Sequence, residues 1–251
     1  MIRLVRAEWT KLFTTKVWLG LLLGSVVMVA AFAVFFTAFA GEDESGLPAV
    51  GTPLYEDLIL STAANANILF LILGIIGMTQ EYRHRTATPT FLTSPRRGQV
   101  VIAKLIAYAL AAAAFALVVV IVNYVVVVIH AGARGAAPSL DGDNLATLAA
   151  SLVALVIYAV IGVGLGALLR NQVGAIVGGL VYLFVIEPII RSVPATAGAY
   201  KWMPGGGLEA LTATFEGPDL LEAWQGGLVL LGYGLLAALL GTLLAVRRDV
   251  V

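Results

Sequence analysis

The 251-residue chain is 60% hydrophobic and only 12% charged, with a formal net charge of zero and no cysteine. A soluble domain holds roughly 45–50% apolar and about 25% charged residues, so this composition excludes an ordinary water-soluble fold. Zero net charge leaves no overall basic field to recruit nucleic acid, and the missing cysteines remove disulfides, thiolate metal sites and cysteine nucleophiles.

The first sixteen residues, MIRLVRAEWTKLFTTK, place Ile2, Val5, Trp9 and Leu12 at helical spacing, with Arg3, Arg6 and Lys11 on other faces. This pattern predicts an amphipathic elbow helix over 1–16, lying in the inner interface with Trp9 as an aromatic anchor and the basic chains toward anionic headgroups. The plainer reading is a basic flank, which does not require Leu4, Leu12 and Phe13. The apolar run Val17 to Ala40 then ends in Ala38-Phe39-Ala40 before Gly41, which resembles a signal-peptidase site. At 24 residues it exceeds a typical signal core, so we expect a retained first span.

Runs long enough for a hydrocarbon core of roughly 30 Å fall at about 17–40, 58–79, 101–130, 145–169, 172–190 and 226–246. Backbone groups in lipid must be satisfied internally, and the period-2 alternation of a barrel is missing, so the expected fold is an all-α integral membrane protein, a single transmembrane domain over 1–251. Arg3, Arg6, Lys11, Lys16, Arg83, Arg85, Arg96, Arg97, Lys104, Arg170, Arg247 and Arg248 lie on one side of this map, against Arg134, Arg191 and Lys201 on the other. The 12 to 3 split predicts cytoplasmic termini in an inner (plasma) membrane.

The connection EYRHRTATPTFLTSPRRGQVVIAK, residues 81–104, is too elaborate for a turn. A short helix starting near Pro89 and ended by Pro95 would present Phe91 and Leu92 as an apolar knob ringed by polar groups, suited to a groove on a cytosolic partner. A positive loop that only fixes topology would need the arginines but not this pair. Further on, Arg170-Asn171-Gln172 separates spans four and five as a tight hairpin, and Gly162, Gly166, Gly174 and Gly178 have the spacing of closely packed helices. The 34-residue segment Ser192–Gln225 is broken by Pro194, Pro204-Gly205-Gly206-Gly207 and Gly217-Pro218. It predicts two short outer helices, about 208–215 and 219–224, the second capped by Asp219.

Polar groups within the spans are candidates for function. Glu187 lies roughly 22 Å along span five at 1.5 Å per residue, where it either faces a substrate or partner helix or reaches the outer interface beside Arg191. Asn65, Asn67 and Asn123 either line a polar path or bond neighbouring helices. His84 and His130 have no acidic or histidine neighbours at ligand spacing, so no metal site is expected.

The pattern RAEWTKLFTTKVW, the connection from EYRHRT to SPRRGQVVIAK and the six-span layout with an irregular outer segment resemble ABC type-2 transporter permeases over nearly the whole chain. The resemblance implies an elbow helix involving Arg6, Glu8, Trp9 and Lys11. It implies a cytoplasmic coupling helix between spans two and three, with Arg83, Thr86, Phe91, Leu92, Pro95 and Arg96 against an ATP-binding subunit. It also implies a path formed with a second permease copy or a related permease. The sequence has no G-x-x-x-x-G-K-[ST] loop, and none of its four lysines follows a glycine. ATP and Mg²⁺ are therefore expected in a separate cytosolic subunit, with no cofactor on this chain and membrane lipid around it. Two other classes fit less of the chain. An ion-gradient-driven transporter would rest on Glu187 alone, and an intramembrane enzyme would need a serine and histidine acting together, for which Ser61, Ser151 and His130 are the residues near spans.

Overall fold

Continuous apolar sequence and local capping together produce the helices. In the computed structural model, which describes residues 1–83, 97–212 and 220–247, there is no strand among the described residues, and six helices are long and apolar enough to cross a membrane. The protein is an all-α, multi-pass membrane protein. An N-terminal helix, Ile2–Thr14, precedes span one, Val17–Phe39. Span two starts at Pro53, with Thr52 as N-cap accepting the Tyr55 N–H and proline in the first turn. Span three, Arg97–Ala133, is 37 residues and so about 55 Å long, well beyond a hydrocarbon core. Span four, Gly142–Leu169, is capped by Asp141, whose carboxylate accepts the Asn144 N–H at 3.0 Å. Span five begins at Gln172 behind the Asn171 cap, and span six covers Ala223–Arg247.

Two spans are interrupted. Span two runs as Pro53–Ser61, a 3₁₀ stretch Thr62–Ala66, and Asn67–Arg83. The hydroxyls of Ser61 and Thr62 donate back to the carbonyls of Leu58 and Ile59 at 2.8 and 2.5 Å, competing with the helical ladder. Asn123 of span three donates to the Ile59 and Leu60 carbonyls at 3.4 and 3.2 Å, and its amide oxygen shares the Thr62 hydroxyl proton, so a neighbouring helix meets polar groups that the break frees. Span five passes from Gln172–Val181 through a π-helical turn, Tyr182–Ile186, into Glu187–Ser192. Pro188 follows at once, and its missing N–H contributes to the widened turn.

Spans two and four form the centre: 72% and 56% of their apolar windows are buried, against 17% for spans one and five. Small residues make this possible. A Cβ on Gly74 would strike the Ala159 carbonyl, and one on Gly162 the Leu71 carbonyl, so spans two and four touch backbone to backbone. The other face of span four meets span six, where Gly164 lies on Ala237 and Gly241 on Ala167. The hairpin reading of spans four and five needs correction here. Their turn is tight, with Arg170 in the left-handed region at φ 51°, but Gly162 and Gly166 face span two, and Gly178 has open space around it.

The outer segment also differs from expectation. Ala197–Tyr200 forms a helical turn, and a second helix occupies Pro204–Thr212, beginning at the glycines that read as breakers. No helix of its own occupies 220–222, and Ala223 already starts span six; Phe215 and Asp219 lie outside the described residues.

Candidate functional site

Two polar groupings stand out against the apolar bundle. The first fixes the N-terminal helix. Lys104, with no exposed surface, places its ammonium 2.5 Å from Glu8 Oε2, 3.2 Å from Glu81 Oε1 and 3.2 Å from the Gly77 carbonyl. Lys11 Nζ joins the same carboxylates, at 2.7 Å to Glu8 Oε1 and 2.6 Å to Glu81 Oε1. Two cations and two anions thus close a neutral ring linking the N-terminal helix to the ends of spans two and three that flank residues 84–96. Burial opposes the charge on Lys11, but its bonds to Glu8 and Glu81 prevail and hold its ammonium above the ordinary lysine value.

This ring changes the reading of the elbow residues. Lys11 turns inward rather than toward headgroups, and Glu8 is buried; Trp9 stays exposed, beside Arg6 on a shallow apolar cleft with Ile2, Val5 and Ile106. Arg83 is exposed at the end of span two. Thr86, Phe91, Leu92, Pro95, Arg96 and His84 lie outside the described residues. The importance of Glu81 and Lys104 was missed by sequence reasoning. The available signal was a lysine inside an apolar helix, paired in number with acids in an otherwise basic region.

The second grouping is a cavity of about 440 Å³ between the breaks in spans two and five, span four and the short helices that precede span six. Glu187, 3% exposed, accepts the Gly205 N–H at 3.0 Å. A Cβ at residue 205 would run into that carboxylate, and one at 206 into the Tyr200 carbonyl, which explains glycine in a first helical turn. Arg191 does not pair with Glu187. Its guanidinium binds Glu209 Oε1 at 2.6 Å, where the Tyr200 hydroxyl also donates at 3.0 Å, while Glu209 Oε2 is buried without a partner. Burial, reinforced by Glu209, raises the Tyr200 phenol above its usual range.

Asn65 and Asn67 line this cavity with Glu187, as does Tyr158, a fully internal side chain from span four whose hydroxyl has no close hydrogen-bond partner and approaches Asn67 only loosely. Asn123 does not: its amide bonds across to the break in span two, the second of the two readings its type allowed. Ser61 reaches the cavity wall with its hydroxyl committed to the Leu58 carbonyl, and His130 is exposed on span three. A second, apolar cleft of about 530 Å³ between spans four, five and six shares Tyr158 and Leu183 with the first. Among known proteins, no family model matches the chain and no curated sequence is similar to it.

Proposed function

We propose that the chain is the membrane-spanning permease subunit of an ABC exporter, carrying an amphipathic or lipid-like substrate outward and driven by separate ATP-binding subunits. The observation that carries this reading is the polar cavity bounded by two interrupted spans. Irregular backbone within a membrane segment is tolerated where it is buried or lines a cavity, and such places mark transport sites. The permease resemblance and the lack of a nucleotide loop add to it, because energy from ATP must then arrive through docking. On this reading the termini are cytoplasmic, the N-terminal helix is the elbow, residues 84–96 carry the coupling helix, and a second permease completes the path. The ion ring supports such a role, since it joins the elbow to both stems of the coupling connection.

Buried Glu187 favours one second reading, an ion-gradient-driven transporter using that carboxylate as its proton or cation carrier. The two are separated by co-purification and by vesicle transport. The exporter reading expects a cytosolic ATPase to co-purify with the full chain and transport to stop without ATP; transport that persists without any ATPase overturns it. Phe91→Asp and Leu92→Asp are each expected to abolish substrate-stimulated ATP hydrolysis while the chain still inserts, and normal stimulation in both variants removes the docking role of residues 84–96.

A further inference from the structure

The two neighbouring chambers share Tyr158 and Leu183 as wall residues and differ in chemistry, and the difference defines a ligand. The upper one is rich in acceptors, the Glu187 carboxylate, Glu209 Oε2 and the Tyr158 hydroxyl oxygen, with the Asn65 and Asn67 amides beside them. No lysine, arginine or histidine is among its lining residues. Arg191 reaches Glu209 only through the other oxygen. The Tyr158 hydroxyl is a separate indication, because a phenol 1% exposed on the wall of a cavity, with no close partner and only a loose approach to Asn67, leaves bonding capacity that a guest can meet. Phe32, Phe184 and Tyr200 complete the wall with aromatic surface, and the Tyr200 ring already carries the Arg191 guanidinium 5.1 Å from its centroid.

The lower cleft is apolar, lined by such residues as Leu165, Leu168, Leu236 and Leu240. Leu236 and Leu240 are also exposed on span six, so the cleft opens sideways where lipid chains lie. Both volumes fall within the roughly 300–1,000 Å³ of small-molecule sites.

Resting on the transport reading for its purpose but not for its geometry, we propose that these chambers bind a primary-ammonium amphiphile, its head among Glu187, Glu209 and Tyr158 and its hydrocarbon tail in the cleft below. An ammonium has three donors and no acceptor, matching three acceptor groups. A sulfate or phosphate head would face the Glu187 carboxylate, which has no cation among the lining residues, and an alcohol would leave that buried charge uncompensated.

The test is saturation binding of radiolabelled dodecylamine to the full chain in nanodiscs, with empty nanodiscs subtracted. We expect saturable binding at neutral pH, displaced by unlabelled dodecylamine and displaced at least roughly ten-fold less well by dodecanol or dodecyl sulfate. Glu187→Gln is expected to weaken binding about ten-fold or more, the range of a hydrogen bond to a charged group. Tyr158→Phe removes a hydroxyl with no close internal partner, so it should fold as the parent does and weaken binding several-fold. If Glu187→Gln does not fold, Tyr158→Phe decides alone. Equal competition by dodecanol or dodecyl sulfate, or unchanged affinity in the folded variants, overturns the proposal. Glu187-dependent amine binding without ATP-dependent transport leaves this site standing and sinks the exporter reading; ATP-dependent transport with no saturable amine binding sinks the site alone.

Discussion

Lys104 has three acceptors within 3.2 Å of its ammonium and no exposed surface, so its charge depends wholly on Glu8, Glu81 and the Gly77 carbonyl. Removing one partner from a buried ion set strands the opposite charge at a cost of about 3–5 kcal/mol. Lys104→Met is expected to destabilise the detergent-solubilised protein by that amount in denaturant titration, and Lys104→Met with Glu8→Gln to lose less than the sum of the single changes. Lys11 gives the ring a pH dependence. Its folded value is raised, so its contribution is complete below the ordinary value of 10.5 and fades as pH rises through the higher folded value. A spin label at Ile2 should therefore stay immobile at neutral pH and gain mobility above pH 10.5, with a smaller change in Lys11→Met. At this scale the sequence was only partly legible. Lys11 and Glu187 stood out by type and position and Glu8 entered through the permease resemblance, whereas Lys104 read as one more basic flank although it sits inside an apolar helix. Its partners come from distant stretches of chain.

The elements show the same division. Length and hydropathy located every span, because lipid enforces long apolar runs and leaves few alternatives. Which helices touch is a different matter: glycine spacing in span four announced a close contact but not its partner, since glycines at 162, 164 and 166 serve two faces. The breaks were hidden for another reason. Ser61, Thr62 and Asn123 interrupt span two by bonding carbonyls across two helices, and the residues around the break remain apolar enough to read as one span. Gly162→Val should overpack the contact with Leu71 and lower stability by about 1–3 kcal/mol in the same titration, whereas Gly178→Ala, with open space around it, should stay within about 0.5 kcal/mol of the parent.

For the whole molecule, the burial pattern sets a firm centre of spans two and four inside a looser ring that leaves much of spans one, five and six facing outward. Because the chain has no cysteine, single-cysteine labelling can map its orientation without further changes. We expect Ser45→Cys to react with a membrane-impermeant maleimide added outside intact cells, and Thr14→Cys to react only after the membrane is opened; the reverse pattern would invert the topology. The ion ring also imposes an order on assembly. Glu8 leaves the ribosome 96 residues ahead of Lys104, so the N-terminal helix is made first yet has no complete set of counter-charges until the third hydrophobic segment arrives. Until then its acidic group belongs at the wet surface. The beginning of the chain thus locks only after span three is made, and its docking reports that spans two and three have found each other.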